Sequence, residues 1–400
     1  MAQNKPEKAY DVVIVGAGPA GLVVAAWMSV AGVKTLLLDR NSAPPASGHA
    51  DGLDRRSFEV MDKFNLGHTI WQEAHQTIEV SYWIVEWTSL YSVGQRICSS
   101  YFIQKRIFLA GDAVHTHSPK AGMGMNTSMQ DAFNLGWKLA SVIKGCHAPK
   151  ILETYQEERM PIAQNLLSFD KEMYSAVSEK FGKNRSETLS RTLRKENTSA
   201  SGSAVRYHAN MLINHTDTSR KVPRLLAAGF RLPDVQIMNH SDSCMWRLHE
   251  ILNGSGHWAL LVFGGDISTK SQMRSVRALA AQLSKSCSIL QRVNHRHKQQ
   301  MIGGIEVHLI HSAPRHGIDL HSLPCLFVSK SETLGYDYGK VFVDNVSYTG
   351  IGGTVYRDLD IPTWGCIVLV RPDHHIAFCG GLDEMSELES FITRLWTVDG

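Results

Sequence analysis

The N-terminal fold is decided by the stretch Asp11-Val12-Val13-Ile14-Val15-Gly16-Ala17-Gly18-Pro19-Ala20-Gly21. Its first five residues are typical of a short β-strand, and its three glycines predict a tight turn. Residues 22–31 follow as an apolar helix, and residues 34–39 are predicted to be a second, buried strand. Strand, helix and strand in this order form a βαβ unit, so the sequence predicts an α/β domain with a parallel sheet of the Rossmann-like kind.

The spacing of the three glycines predicts a dinucleotide site at this turn. Gly16 permits the turn, Gly18 lets the backbone approach a pyrophosphate, and Gly21 lets the helix pack closely on the strand. The positive end of the helix then faces the phosphate charge. Asp39 closes the second strand, where its carboxylate would accept a hydrogen bond from a ribose hydroxyl. The alternative is a glycine turn in a βαβ unit that binds no nucleotide.

A second motif is formed by Arg106-Ile107-Phe108-Leu109-Ala110-Gly111-Asp112. Residues 107–110 are predicted to be another buried strand, after which the Asp112 carboxylate would accept a hydrogen bond from the ribityl chain of FAD. Gly122 and Gly124 would let the backbone close on the flavin ring, and the helix that starts near Asn126 would point its positive end at the flavin. Taken alone, Asp112 is better explained as a turn or capping residue. Paired with the N-terminal motif, it indicates FAD.

The composition excludes several classes of protein. The 400 residues carry a net charge of +3, which is too weak to indicate a nucleic acid or an acidic membrane surface as a partner. The seven cysteines include no Cys-x-x-Cys and are odd in number, which indicates reduced thiols in a cytoplasmic protein. The polar N-terminus predicts no signal peptide, and no apolar stretch is long enough to span a membrane.

The chain is predicted to divide at a polar stretch. Residues 183–205 are rich in Ser, Thr, Lys and Arg and are interpreted as a linker between an FAD-binding domain, 1–182, and a second domain, 206–400. In the second domain, apolar patterns predict strands at 258–263, 305–310, 340–343, 366–370 and 376–379, with helices over 273–283 and 385–395. This order is typical of a thioredoxin-like fold. Without Cys-x-x-Cys, dimerisation or scaffolding is a better hypothesis than redox exchange.

Several segments resemble the flavin monooxygenases of the phenol 2-monooxygenase type. In the first half they are Gly48-His49-Ala50-Asp51-Gly52-Leu53 with Arg56 and Glu59, Trp87-Thr88-Ser89-Leu90-Tyr91-Ser92-Val93-Gly94-Gln95-Arg96, and the run from Gly111-Asp112 to Met129. Residues 229–233 and Val370-Arg371-Pro372-Asp373 resemble the C-terminal thioredoxin-like domain of that family. The resemblance covers most of the chain in patches, and its flavin patches are the most specific.

The resemblance implies an activity and a set of site residues. Enzymes of this type use FAD, NADPH and O₂ to hydroxylate a small aromatic substrate, either in catabolism or in tailoring a phenolic natural product, and a homodimer is implied as well. In the family, the aspartate matching Asp51 handles the phenol proton, for which a carboxylate is a reasonable base. The alternative is that Asp51 only orders its glycine loop. The expected FAD-binding residues are Gly16, Gly18, Pro19, Ala20, Gly21, Asp39, Arg40, Arg56, Asp112, Pro119, Gly122, Met123, Gly124, Met125 and Asn126.

The chain departs from this family near residues 83–84. Where the family carries a second Asp-Gly motif, parts of the central sheet and a substrate-covering sheet, Ser81-Tyr82-Trp83 here runs almost directly into Ile84-Val85-Glu86-Trp87. The pocket for the aromatic substrate would therefore lack its cover. An internal deletion, a mis-joined exon model and a truncated paralogue would each explain this. The alternative to an active monooxygenase is an inactive remnant that acts at most as an interaction or dimerisation protein.

Three smaller features lead to predictions of their own. His115-Thr116-His117 has no third ligand at a suitable spacing, so no metal site is expected. Thr127 with Gln130 is predicted to form a capping box for the helix that Gly145 ends. His374 stands where the family usually has glycine, which predicts a small change in a turn.

Overall fold

The structure is a computed structural model that describes residues 9–43, 52–74, 94–118, 123–178, 205–214, 223–252, 254–333 and 335–397. The chain divides into two compact units: unit 1 comprises Met1–Lys144 with Leu152–Val205, and unit 2 comprises Gly145–Ile151 with Arg206–Gly400. Both units combine helices with β-strands, so the predicted α/β class is confirmed. Across the described parts, no helix is both long and apolar enough to cross a bilayer. The stretch interpreted as a linker lies outside the described residues except for Val205.

Unit 1 begins with the expected βαβ unit. Strand β1 (Val12–Val15) pairs in parallel with β2 (Thr35–Leu38), and α1 (Pro19–Val30) connects them. The elements that follow are α2 (Arg55–Lys63), α3 (Gly67–Glu73), β3 (Arg96–Ile97), β4 (Phe102–Ile103), β5 (Ile107–Phe108), β6 (His115–Thr116), α4 (Gly124–Ile143) and α5 (Glu153–Ser178).

Among the described residues, the β1–β2 sheet is covered on one face only. Val13 pairs with Leu36 and Val15 with Leu38, so these four side chains share a face. Val15 is 84% exposed and Leu38 is 45% exposed, whereas Ile14 on the opposite face is buried. Parallel sheets are normally covered on both faces, and a two-stranded sheet is marginal by itself. The prediction of two paired strands is therefore confirmed, but the prediction that the second strand is buried is wrong for this face.

The buried strand predicted at residues 107–110 is also wrong. Strand β5 contains only Ile107 and Phe108, and it pairs antiparallel with β4 instead of joining β1. Ile107 is half exposed, and Phe108 stacks on Phe102 with the ring centroids 4.6 Å apart. An apolar run indicates an extended segment, but it does not say which strand will be its neighbour.

The start of α4 differs from the predicted capping box. The helix begins at Gly124 after Met123, which makes no side-chain capping hydrogen bond. Thr127 therefore lies inside the first turn, and its backbone N–H donates to the Met123 carbonyl. The predicted stop is confirmed, because Gly145 follows the end of the helix with φ of +70°.

Helices α1 and α4 pack so closely that a glycine is required between them. Trp27 of α1 is completely buried, and a Cβ at Gly136 of α4 would lie 2.3 Å from its Cδ1. The rings of Phe133 and Phe64 surround the same indole, with centroids 5.4 and 5.3 Å away. This aromatic cluster, together with the missing side chain at Gly136, fixes α4 against α1.

Unit 2 is built on a seven-stranded sheet in the order β15-β14-β9-β10-β13-β7-β8. Its elements are β7 (Gln236–Asn239), β8 (Met245–Arg247), β9 (Gly256–Gly265), α6 (Lys270–Leu283), α7 (Ile289–Arg296), β10 (Ile302–His311), β11 (Lys330–Ser331), β12 (Gly335–Tyr336), β13 (Val341–Val343), α8 (Val355–Asp358), β14 (Cys366–Val370), β15 (Ile376–Gly380) and α9 (Met385–Leu395). Strands β9, β10 and β13 are mutually parallel, and the other pairs are antiparallel. The strands and helices predicted for this half are confirmed, with β9 and β10 longer than expected.

His374 takes the left-handed backbone conformation that glycine would adopt without cost. Its φ is +65°, in the turn between β14 and β15, and its carbonyl accepts a hydrogen bond from the N–H of Leu232. A residue with a Cβ is less stable in this conformation by about 1–2 kcal/mol. The imidazole is buried, with its centroid 4.5 Å from that of His249. His374 therefore places local backbone strain in this turn, and the expected difference from the family stays a prediction.

We expect Gly136→Ala to lower the free energy of unfolding of unit 1 by about 1–3 kcal/mol, because the added methyl overlaps Trp27. This loss exceeds the roughly 1 kcal/mol by which alanine is favoured over glycine in a helix. Urea unfolding followed by circular dichroism measures it. In a Trp27→Leu background, which opens the space, the same substitution should be less destabilising. An equal loss in both backgrounds would show that this contact is not the cause.

Candidate cofactor site

The glycine turn of unit 1 has the geometry that its sequence predicts. Gly16 has φ of +109°, which residues with a Cβ rarely adopt. A Cβ at Gly21 would lie 1.9 Å from the Gly16 carbonyl oxygen, so only glycine lets α1 begin this close to β1. At Gly18, by contrast, a Cβ would meet no atom within 4 Å. The surface of the turn is therefore open at the residue that was expected to face a pyrophosphate.

Helix α1 begins without a side-chain cap. Its N-cap residue is Gly18, which has no side chain that could accept a hydrogen bond. The first turn consists of Pro19, Ala20 and Gly21, and it contains no acidic residue. The first N–H groups of a helix have no partner within the helix. Together with the helix dipole, such free N–H groups attract an anion, and a phosphate would satisfy them.

Asp39 lies directly beside the glycine turn. Its Oδ2 accepts a hydrogen bond from the Ala17 N–H at 2.8 Å, and its Oδ1 accepts one from the Asn41 N–H at 2.8 Å. The bond from Ala17 is the main reason that the pKa of this carboxyl is lowered, followed by the bond from Asn41. Asp39 and its neighbour Arg40 are exposed. The structure thus brings an ionised carboxylate and the glycine turn together, as recognition of a ribose requires.

Gly111 joins the second motif to the first. It has φ of +60°, and a Cβ there would lie 2.8 Å from the Cβ of Ser128 in α4 and 3.4 Å from the Cβ of Ala20 in α1. Gly111 is therefore wedged between the first turns of the two helices. Asp112, the next residue, is exposed and makes no hydrogen bond with the described residues. The two motifs, far apart in sequence, meet at one place in unit 1.

The N-terminus of α4 is the second uncapped helix end at this place. Met123 precedes the helix without a capping hydrogen bond, and the first turn contains no acidic side chain. Met123, Gly124 and Met125 are partly exposed, whereas Asn126 is buried. Two helix N-termini that lack a side-chain cap among the described residues thus flank Gly111, which is an arrangement suited to a ligand with anionic or electron-rich groups at two positions.

The side chain of Asn126 is used to hold a neighbouring loop. Its Oδ1 accepts a hydrogen bond from the Asp54 N–H at 3.0 Å, and its Nδ2 donates to the Gly52 carbonyl at 3.1 Å. Asp54 in turn caps α2 by accepting a hydrogen bond from the Ser57 N–H at 2.6 Å. Burial raises the pKa of Asp54, although the bonds from Ser57 oppose this. Asn126 therefore fixes the loop that directly follows Asp51.

Arg56 was expected to bind the cofactor, but its charge is already engaged. The buried guanidinium donates to Glu59 Oε2 at 3.2 Å and lies 5.5 Å from the centroid of the Phe133 ring. The contact with Phe133 joins α2 to α4, whereas the ion pair with Glu59 lies within α2. Asp51, Pro119 and Gly122, three further candidates, lie outside the described residues.

Unit 1 also contains a buried cluster of charged and polar side chains that the sequence analysis did not predict. Asp131 of α4 accepts hydrogen bonds from His115 Nε2 at 2.8 Å and from Arg159 Nε at 2.7 Å, and all three side chains are almost completely buried. Burial raises the pKa of Asp131, but the charges and hydrogen bonds of Arg159 and His115 together outweigh it and leave that pKa lowered. Lys138 of the same helix pairs with Glu158 at 2.7 Å. The sequence offered one indication of this cluster: Asp131, Asn134 and Lys138 recur at helical spacing, so they share one side of α4.

Asp170 of α5 holds Ser118, which directly follows β6. Its carboxylate accepts hydrogen bonds from the Ser118 N–H at 2.9 Å, from the Ser118 hydroxyl, and from Gln95 Nε2 at 2.6 Å. Burial raises the pKa of Asp170, but the two bonds from Ser118 and the bond from Gln95 outweigh this and leave the pKa lowered. Neither Asp170 nor Ser118 was a sequence candidate, since no local pattern links residues so far apart.

Two family models match the chain. A model described as FAD binding domain matches residues 9–83 and 78–170. A model described as phenol hydroxylase, C-terminal dimerisation domain, matches residues 205–399. The first model includes every described candidate residue of the site. Its two matched pieces meet at residues 78–83.

Similar proteins are FAD-dependent monooxygenases. The FAD-dependent monooxygenase hkm7 of Aspergillus hancockii is 36% identical over 322 residues, which make up 80% of this chain and 56% of that protein. The phenol 2-monooxygenase fsqG of Aspergillus fumigatus is 36% identical over 315 residues, which make up 78% of this chain and 51% of that protein. The chain therefore spans about half the length of the relatives it matches.

Solved structures share the fold. The flavin-dependent monooxygenase PieE, in complex with FAD and substrate, matches with a TM-score of 0.66 at 13% identity, covering 98% of this chain and 99% of that one. OxyS anhydrotetracycline hydroxylase from Streptomyces rimosus matches with a TM-score of 0.61 at 18% identity, covering 97% and 99%. At these identities the similarity concerns the fold alone.

We expect Asn126→Ala to release the loop after Asp51. Loss of the two hydrogen bonds should raise the exchange rate of the Asp54 amide about tenfold, since each bond contributes roughly 1 kcal/mol. Hydrogen–deuterium exchange of peptides over residues 52–58 measures this. Ser128→Ala is the matched control, because Ser128 bonds only to the Gly124 carbonyl of its own helix. Equal exchange in both variants would contradict the assigned role of Asn126.

We expect Asp170→Asn to destabilise unit 1 by about 1–3 kcal/mol at neutral pH, because an amide accepts fewer and weaker hydrogen bonds than the carboxylate. The folded pKa of Asp170 is lowered, so its contribution is complete above about pH 4 and is lost as the pH falls through the folded pKa. Urea unfolding at several pH values tests this. A difference between variant and parent that does not shrink on acidification would rule out the ionised carboxylate as its source.

Proposed function

The chain is built from the FAD-binding domain and the C-terminal dimerisation domain of FAD-dependent aromatic hydroxylases of the phenol 2-monooxygenase type, and we propose from this premise that it binds FAD and serves the hydroxylation of a phenolic or other aromatic compound. NADPH and O₂ are the proposed co-substrates. A reaction in secondary metabolism is favoured, because relatives such as hkm7 are fungal FAD-dependent monooxygenases. Bound FAD would supply the chemistry, by accepting hydride from NADPH and passing electrons to O₂.

The contact of Gly111 with both Ala20 and Ser128 carries the proposal. It brings two uncapped helix N-termini to one place, with Asp39 and Asp112 nearby. The open position at Gly18 leaves room for a pyrophosphate at α1, and the N-terminus of α4 can face the flavin ring and stabilise negative charge on it. The residues present therefore fit FAD.

Each acidic candidate has a separate proposed task. Asp39 would accept a hydrogen bond from a ribose hydroxyl, and Asp112, which has no other partner among the described residues, would accept one from the ribityl chain. Asp51 would take the proton of a phenol, which makes the ring a better target for an electrophilic oxygen. The loop that follows Asp51 is held at Gly52 and Asp54 by the two hydrogen bonds of Asn126.

We propose that the FAD-binding domain lacks an internal segment near residues 83–84. Three observations support this: the family model matches in two pieces that meet at 78–83, the chain has about half the length of its relatives, and the β1–β2 face is uncovered by the described residues. The segment would carry further sheet strands and the cover of the substrate pocket. Hydroxylation then requires that missing part, whereas FAD binding rests on residues that the chain retains.

For unit 2 we propose a thioredoxin-like domain that mediates homodimerisation. Strands β9, β10, β14 and β15, with their helices, follow the order expected from the sequence, and the matching model names a dimerisation domain. The proposed boundaries are 1–182 for the FAD-binding domain, 183–205 for the linker and 206–400 for the second domain. The seven cysteines are all free, which supports a reducing compartment such as the cytoplasm.

We expect the purified protein to retain a visible flavin absorbance band after it is mixed with FAD and desalted. Gly18→Asp should lower the affinity for FAD by at least about tenfold, since its carboxylate would occupy the N-terminus of α1 in place of the pyrophosphate. The variant should fold well, because the position is open and aspartate is a favoured cap.

Two outcomes would contradict this proposal. A colourless parent protein would show that this chain binds no FAD. Equal FAD affinity of parent and Gly18→Asp would show that α1 does not bind the pyrophosphate. For a protein that binds FAD, phenol-dependent oxidation of NADPH then separates an active hydroxylase from a chain that only binds the cofactor.

A further inference from the structure

The two edge strands of the unit 2 sheet differ in whether other backbone segments cover them. At β15, the chain covers the edge with backbone hydrogen bonds: the Gly229 N–H donates to the Ile376 carbonyl, the Ile376 N–H donates to the Phe230 carbonyl, and the Asn214 N–H donates to the Ala377 carbonyl. At the opposite edge, β8 pairs with β7 on one side and with no other described strand. An uncovered edge is a place where a protein either blocks association or uses it.

The β8 edge is flanked by exposed apolar side chains. Trp246 in the strand itself is 42% exposed. The hairpin of residues 345–353 lies against the same strand, because a Cβ at Gly352 would be 2.9 Å from the Met245 Cε. On this hairpin Val346 and Ile351 are about half exposed, and Tyr348 is fully exposed. Met245 and Trp246 are successive residues of β8, so Trp246 and the hairpin flank the edge on opposite faces of the sheet. We call Trp246, Val346, Tyr348 and Ile351, which lie on the two sides of this edge, the β8 edge surface.

The hairpin presents these side chains from an ordered backbone. Val346 forms a β-bridge with Gly352, the Ser347 N–H donates to the Ile351 carbonyl at 2.7 Å, and the Gly350 N–H donates to the Ser347 carbonyl at 2.9 Å. The hydroxyls of Ser347 and Thr349 lie 2.8 Å apart. Ordered apolar side chains lose little conformational entropy when they are buried, so they suit a binding surface better than a mobile loop would.

The hairpin of residues 345–353, which contains the fully exposed Tyr348, carries no charged side chain. Residues 345–353, Asn-Val-Ser-Tyr-Thr-Gly-Ile-Gly-Gly, contain no acidic or basic side chain. Arg247, the charged residue of β8, is paired with Asp234 at 2.6 Å, and its N–H donates to Glu250. An uncharged surface with a central tyrosine and tryptophan can face an identical copy of itself without repulsion between like charges.

We propose that the β8 edge surface is the place where unit 2 binds the same surface of a second copy of this chain. The inference rests on the proposed homodimer and adds where its contact lies. A second copy is the occupant that fits, because the family model for residues 205–399 is a dimerisation domain and the surface is self-complementary in charge. Association of two copies at this edge would bury apolar side chains on both faces of the sheet that a monomer leaves in water.

The test measures the molar mass of the full chain by size-exclusion chromatography with light scattering. The parent is expected to be a dimer, and Tyr348→Lys is expected to weaken dimerisation at least about a hundredfold, since it places two like charges in an apolar contact. Trp246→Lys should act in the same direction. The matched control is Trp364→Lys, because Trp364 is 54% exposed in the turn before β14 and its carbonyl accepts a hydrogen bond from Gln272 of α6.

The outcomes separate this inference from the proposed homodimer. A monomeric parent would overturn both. A dimeric parent that is unaffected by Tyr348→Lys and Trp246→Lys, or that is dissociated equally by Trp364→Lys, would overturn the β8 edge surface and leave the homodimer intact. Dissociation by the two edge variants alone, with circular dichroism spectra unchanged, supports the proposal.

Discussion

The close approach of α1 and α4 is the constraint on which the candidate site depends. Two glycines allow it: Gly136 leaves room for the buried Trp27, and Gly111 fits between Ala20 and Ser128 at the helix ends. A single methyl group at either position would force the helices apart. Because the two motifs lie on different helices, their distance, and with it the distance between the two sets of free N–H groups, is set by packing in the core and not by the motifs themselves.

Anchors beneath the surface hold residues 115–118, which follow the second motif. His115 is held by Asp131 of α4, and Ser118 is held by Asp170 of α5. The buried ion pair of Asp131 with Arg159 is expensive to desolvate, and removal of one partner would leave the other uncompensated, at a loss of about 3–5 kcal/mol. Their contribution is therefore one of position more than of net stability.

Local sequence patterns predicted the βαβ unit, the glycine turn and strands β9, β10, β13, β14 and β15 of unit 2, because these depend on neighbouring residues and on apolar periodicity. The shorter strands β7, β8, β11 and β12 were not predicted. The patterns failed where a long-range partner decides the outcome. Residues 107–110 are apolar enough for a buried strand, yet β5 pairs with β4. The Asn126 clamp and the Asp170 anchor join residues more than fifty positions apart, and no single-sequence pattern reports such pairs.

The uncovered β1–β2 face has a consequence for the life of the protein in a cell. During synthesis, every Rossmann-like domain passes through a stage in which its first two strands have left the ribosome and their neighbours have not, and chaperones recognise the exposed valines and leucines of that stage. In a complete domain the stage ends when the next strands arrive. Val13, Val15 and Leu38 remain exposed in the described part of the folded chain, so a surface typical of that earlier stage persists, and surfaces of this kind are where incompletely folded chains associate.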